Sequence, residues 1–269
     1  MYFAVAFIAM FIIGGLSGVM HASPPADLQQ NDTYFIVAHF HYVLFGGSIF
    51  ALNAGAYYWW PKMFGRMLDE RLGKVHFWLM LLGFNLTFFP MHFVGLNGMP
   101  RRTYTYPAEL GFTALNQLET AGSLLLGLAF LVFLINIIRT SRGPRNAPAD
   151  PWNGATLEWA IPSPPPEWNF DRLPVVDGRD PLWEEKRKNG GRLPEPVAGT
   201  GAGIHLPNPS YWPLVTAVGV TAVFIGILES PRWGPWGIIV AVALLLFGLY
   251  SWLFEKGYSE FRTPSHGGH

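Results

Sequence analysis

The chain contains no cysteine, which excludes disulfides, thiolate metal sites and cysteine nucleophiles and leaves histidine to carry any soft-ligand chemistry. Charge is almost as scarce. Asp, Glu, Lys and Arg make up 13% of the 269 residues, against about 25% in an ordinary soluble domain. The 18 basic and 18 acidic side chains cancel, so no strong field recruits nucleic acid. The first apolar run lacks the basic start and small-residue cleavage site of a signal peptide, and it is read as a span. No internal repeat is visible.

What is abundant is apolar. Half the residues are hydrophobic and 16% are aromatic, and these are gathered into runs separated by one long polar segment. A bilayer core of about 30 Å needs roughly 20 apolar helical residues. Six stretches approach that length: Met1 to Met20, Tyr34 to Trp60, His76 to Leu96, Leu118 to Ile138, Tyr211 to Leu228 and Trp236 to Phe254. The fifth is the shortest and carries Pro213 near its start, a position where proline is tolerated. The expected fold is therefore an all-α membrane protein with six transmembrane helices.

Lys and Arg favour the cytoplasmic side of short loops. The connection from Lys62 to Lys74 holds Lys62, Arg66, Arg71 and Lys74, and the segment from Arg139 to Ser210 is also rich in Arg and Lys. Both are expected inside, with the N- and C-termini, and the first connection, His21 to Thr33, and the third connection outside. Arg101 and Arg102 lie in the second of these outer connections and call for a partner. The polar segment contains Pro162, Pro164, Pro165, Pro166, Gly190 and Gly191 and shows no helical or strand periodicity, so it is expected to be an extended extramembrane strap. The resulting division is 1–140, four helices; 141–207, the strap, with a boundary near Pro207; and 208–269, two helices and a polar tail.

Two histidines, His39 and His41, sit near the outer end of the second span in Val37-Ala38-His39-Phe40-His41-Tyr42, where an ionisable group is expensive and usually functional. The alternative is a pair of buried, hydrogen-bonded histidines. Positions two apart on an α-helix point roughly 200° apart, so both rings cannot readily reach one metal. Two separate sites on opposite faces are expected, each taking a neutral imidazole, with haem iron the natural partner. Zinc would want three or four converging ligands. Arg is shaped to clamp carboxylates, so Arg101 and Arg102 suit haem propionates, against simple solvation as the plain reading. Asp27 and Asp32 read either as loop residues or as a hydrogen-bonding or hard-cation site beside those propionates. His21, His76 and His92 read as interfacial or packing residues, and the aromatic clusters at Tyr57 to Trp60 and Phe88-Phe89 as belt and core.

At these residues the sequence resembles the haem-copper terminal oxidases, specifically subunit I of cytochrome c oxidase from its ninth transmembrane helix onward. The resemblance is carried by Asn31 to Leu44 (NDTYFIVAHFHYVL), Trp59 to Gly65 (WWPKMFG), Phe88-Phe89-Pro90 and Gly98 to Arg102 (GMPRR), and it covers about Met1 to Phe170. It implies that His39 is the axial ligand of the high-spin haem where dioxygen is reduced. His41 is then one of two ligands of the low-spin haem, with Phe40 between them. Arg101, Arg102 and Asp27 would serve haem propionates, and Asp32 a magnesium or manganese site. The family usually has His immediately before that aspartate, where this chain has Asn31.

The resemblance further implies haem of the a type, and electron transfer from cytochrome c to dioxygen coupled to proton translocation in aerobic respiration. The implied partners are subunits II and III, cytochrome c and the lipid membrane. Tyr42, after the second histidine, resembles cytochrome c oxidases more than quinol oxidases. The last two spans resemble an extension of some long bacterial forms, which implies a bacterial plasma membrane. The family's copper histidines, the second low-spin haem ligand and the proton-entry residues lie on its first eight helices. The expectation is therefore a split subunit or truncated reading frame, with copper and activity depending on the N-terminal portion. The contrasting expectations are a quinol-oxidase relative and a non-redox transporter or assembly subunit, whose purified form would be colourless.

Overall fold

A computed structural model describes residues 1–170, 173–176, 178–191, 196, 199, 201, 204 and 209–255. The expected boundary at Pro207 and the expected polar tail beyond Glu255 lie outside the described residues. The described chain is helical, and its elements fall into two units, Met1–Pro166 with Val175–Ala198, and Glu167–Pro174 with Gly199–His269.

The first unit is built on four long helices: α1 (Tyr2–His21), α3 (Tyr34–Phe64), α4 (Glu70–Leu96) and α5 (Thr113–Arg142), with the short α2 (Pro24–Gln30) after α1. Local chemistry sets their ends. Thr33 caps α3 by accepting from the Phe35 N–H at 3.1 Å, and Asp69 caps α4 by accepting from the Leu72 N–H at 2.8 Å, each satisfying a donor that a helix start leaves free. α3 stops at Gly65, which takes the left-handed conformation (φ 65°) that glycine adopts without steric cost. The four helices meet in one core of Phe3, Met10, Tyr42, Phe50, Phe84 and Phe88 with their neighbours. Outward faces keep Val5, Ile8, Leu16, Leu82 and Leu124 exposed, as expected of helices surrounded by lipid or further helices.

α3 is not a regular helix throughout. Its residues His41–Phe45 form a π turn, in which the Gly46 N–H reaches back five residues to the His41 carbonyl. The widened turn packs on α1 at Gly14, where a Cβ would lie 2.9 Å from Val43 Cγ2 and 3.1 Å from Val43 N. Only a residue without a side chain allows this approach.

The strap departs from expectation. It is not extended throughout: it contains a 3-10 turn at Leu157–Ala160 and the helix α6 (Pro181–Lys188). α6 is explained by Pro181 in its first turn and Lys186, Arg187 and Lys188 in its last, the arrangement a helix and its dipole favour. The strap is also docked. Tyr58 accepts at its carbonyl from Trp152 Nε1 (2.9 Å) and at its hydroxyl from Trp159 Nε1 (3.0 Å). Lys62, expected as a loop charge, is buried and donates to the carbonyls of Ile161 and Pro162. Buried Lys186 pairs with Asp150 and donates to the Gly154 carbonyl at 2.6 Å.

The second unit holds α7 (Trp212–Leu228) and α8 (Trp236–Leu253). Gly219 faces Leu245, Gly226 faces Gly237 and Gly248 faces Thr216, so the two helices run antiparallel with small residues at the seam. Of the six expected spans, five are clear among the described residues and the sixth is marginal. α1, α3, α4, α5 and α8 are long and apolar enough to cross a membrane, whereas α7 has 17 residues, the lower limit of what spans a bilayer.

Candidate haem-ligand site

His39 and His41 emerge from α3 toward different neighbours. His39 turns to α1, where its Nδ1 lies 2.8 Å from Ser17 Oγ and 3.1 Å from the Gly14 carbonyl. Ser17 spends its single hydroxyl hydrogen on the same carbonyl, at 2.9 Å. A carbonyl can only accept, so Nδ1 of His39 carries the hydrogen and donates to both oxygens. His41 turns the other way: its ring stacks on Phe88 of α4, centroids 4.0 Å apart at 13°, and its Nδ1 donates to the Val37 carbonyl at 2.8 Å.

Both rings therefore carry their hydrogen on Nδ1, which leaves Nε2 with its lone pair. Among the described residues, neither Nε2 makes a hydrogen bond. This is the tautomer a metal-bound histidine needs, with the second ring nitrogen anchored to a carbonyl that fixes the ring plane. Among the described residues, no three His, Asp or Glu side chains are grouped so as to hold a metal ion. Each histidine thus presents one free ring nitrogen, which would suit an iron whose other positions are filled by a macrocycle and by groups from elsewhere. The residues present fit two haems.

The charged candidates collect at the end of the bundle where α3 begins and α4 ends. The Arg101 N–H donates to the Asp32 carbonyl at 2.8 Å, the Tyr34 N–H to the Met99 carbonyl at 3.0 Å, and Thr33 bridges Pro100. The loop after α4 is thereby fastened to the start of α3. Arg101 also forms an ion pair with the Asp32 carboxylate, which joins a residue expected on a propionate to one expected on a cation. Arg102 is exposed, in the left-handed region (φ 65°), and makes no ion pair among the described residues. Asp27, on α2, lies 3.6 Å from His21 Nδ1. No ion pair links Asp27 to either arginine among the described residues.

Two further described histidines, His76 and His92, pack among aromatic rings. His76 is fully buried, with Tyr57 Oη 3.2 Å from its Nδ1 and Phe133 stacked at 4.9 Å. His92 donates from Nδ1 to the Phe89 carbonyl at 3.1 Å and packs on Phe35 at 5.0 Å. Tyr42 is wholly buried and donates to Asn85 Oδ1 at 2.7 Å. Sequence reasoning missed Gly14 and Ser17, the anchors of His39. The available signal was the small-residue row Gly14, Ser17, Gly18 along one side of α1, which marks close helix contact in membranes.

A family model described as cytochrome c and quinol oxidase polypeptide I matches residues 1–125. The cytochrome c oxidase subunit 1 of Bacillus sp. (strain PS3) is 49% identical over 252 residues, 93% of this chain and 40% of that protein. That of Bacillus subtilis (strain 168) is 47% identical over 266 residues, 96% of this chain and 42% of that protein. The quinol oxidase subunit 1 of the latter organism is 41% identical over 262 residues, 96% of this chain and 40% of that protein. Similarity thus continues past Phe170, through most of the strap and the helices that follow. With five helices of spanning character and these relatives, the chain is an integral membrane protein. It spans about two fifths of the length of the curated relatives it matches, and it belongs to the cytochrome c and quinol oxidase polypeptide I family.

Proposed function

We propose that this chain forms the haem-binding part of subunit I of a respiratory cytochrome c oxidase, in which electrons pass from cytochrome c to dioxygen with coupled proton translocation. The observation that carries the reading is the pair of anchored rings, His39 and His41, each with a free Nε2 and each facing a different helix. When bound, the haems supply one-electron relay and the iron at which dioxygen is reduced. His39 holds the high-spin haem and His41 the low-spin haem, both of the a type. The 49% identity to a cytochrome c oxidase subunit against 41% to a quinol oxidase subunit favours cytochrome c as donor.

The chain's own residues then act as follows. Ser17 and Gly14 fix the ring plane of His39 from α1, and Val37 fixes that of His41 from its own helix. Arg101 and Arg102 present guanidinium donors to propionates. A guanidinium has five N–H donors, so Arg101 keeps Asp32 while serving a second carboxylate. Asp27 stands on the propionate side. Asp32 with Asn31 offers oxygens to a magnesium or manganese ion. The copper ligands and the second low-spin ligand come from the rest of subunit I, with subunits II and III as further partners. The three-part division at residues 140 and 207, a bacterial plasma membrane, and cytoplasmic termini complete the proposal.

The test is optical, on the assembled complex. His39→Ala and His41→Ala should each lose a different haem signal. Spectra unchanged in both variants, or a colourless wild-type complex, would refute the reading.

A further inference from the structure

His21 is the last residue of α1, and it is the one histidine whose two ring nitrogens are both buried and both without a hydrogen-bond partner among the described residues. Its side chain is 11% exposed. The ring stands edge-on to His39, centroids 5.0 Å apart at 64°, and edge-on to Phe35 at 5.2 Å. Asp27 Oδ1 approaches its Nδ1 at 3.6 Å from the half-exposed side. Leaving a buried polar atom unbonded costs about 1–3 kcal/mol, and native structures seldom do so. A ring held this way beside an iron ligand has a partner that is not one of the described side chains.

The surroundings narrow that partner. Asp27 Oδ1 faces Nδ1 from beyond hydrogen-bond distance, and an imidazole in either tautomer keeps one ring N–H, so the buried ring has a donor to satisfy. What satisfies it is an acceptor, best a carboxylate, on the same side of the fold as His39. We infer that His21, oriented by Asp27, donates a hydrogen bond to a propionate of the haem held by His39. Asp27 is then a positioning residue acting through His21, which accounts for its lack of any arginine partner. The inference rests on the proposed function, because it needs His39 to hold a haem.

The same carboxylate chemistry has two sources, the haem propionate and an acidic side chain elsewhere in the complex. Infrared redox-difference spectra of the assembled complex, carrying haem isotopically labelled in its propionates, separate them. His21→Leu should shift the labelled band, and Asp27→Asn should shift it in the same direction, with Asp27→Glu restoring it. Losing the donor leaves the propionate charge less compensated, which favours ferric iron. The reduction equilibrium of the high-spin haem should therefore fall about threefold in His21→Leu, about 28 mV for one electron.

A labelled band at the wild-type position in His21→Leu, with full haem content, would overturn the inference. If that variant does not assemble, Asp27→Asn carries the test alone, since its side chain is half exposed, and an unmoved band there has the same force. Failure of the underlying reading looks different: the high-spin haem would survive His39→Ala.

Discussion

On the proposed function, replacing Ser17 by Ala should loosen the haem assigned to His39 and leave the haem assigned to His41 untouched. Ser17 is 5% exposed, and its hydroxyl accepts from His39 Nδ1 at 2.8 Å while donating to the Gly14 carbonyl at 2.9 Å. Alanine removes donor and acceptor together, so no orphaned polar group remains on residue 17. A neutral hydrogen bond contributes about 0.5–1.5 kcal/mol net, and outer-shell partners of metal ligands usually matter by about 10–100-fold in affinity. The Gly14 carbonyl, 3.1 Å from Nδ1, still holds the hydrogen on that nitrogen, so the tautomer survives and the loss stays near the lower limit. About fivefold to tenfold weaker retention of the high-spin haem is expected, measured by haem loss from the assembled complex to an acceptor protein. The iron–histidine stretching frequency should fall in resonance Raman spectra, because a weaker bond at Nδ1 leaves the imidazole a poorer donor to iron. His41 is the internal control, since its anchor is Val37 on its own helix. An unshifted stretch and unchanged haem retention in Ser17→Ala, with His39→Ala losing the haem, would refute the claim that α1 orients this ligand.

The absence of cysteine makes sidedness directly measurable. Single cysteines at exposed Arg71 and at Tyr104, which is 98% exposed, should be labelled by an impermeant thiol reagent from the cytoplasmic and the outer face respectively. Labelling of both from one face would refute the orientation. Trp159 is 1% exposed and bonded to Tyr58. Truncating a buried Trp costs about 3–5 kcal/mol, so Trp159→Ala should speed protease cleavage within residues 141–166 by about 100-fold or more, where local opening limits cleavage. An unchanged cleavage rate would show that the strap does not depend on this contact.

The spans were legible because a bilayer imposes a one-dimensional length test, and apolar runs such as those of α1 and α5 meet it without reference to their neighbours. α7 is marginal by the same test: at 17 residues the length criterion has little margin. The histidine pair was legible from type and spacing. What anchors it was not, because Ser17 and Gly14 lie 22 and 25 positions before His39 and meet it only once α1 packs on α3. The Asp32–Arg101 pair and the Trp152 and Trp159 contacts to Tyr58 were hidden by the same separation in sequence. α6 was different. Its caps were readable, with Pro181 in the first turn and three basic residues in the last, but eight residues without an apolar stripe gave periodicity nothing to detect.

The two anchors differ in kind, and the π turn explains how both survive on one helix. His41 donates to Val37, four residues earlier, so its orientation is set by the regular part of α3 before the turn widens. His39 is set by α1, and α1 approaches closely only because Gly14 admits Val43 from within the π turn. The irregular segment therefore seats the helix that orients the first histidine, while the second is anchored upstream of the irregularity. A regular α-helix through residues 41–45 would move Val43 off Gly14 and lose the orientation of His39 while keeping that of His41. π turns recur at functional sites, and here the reason is mechanical: the widened turn begins at His41 and adjusts the packing around His39 while the ring of His41 stays anchored to Val37.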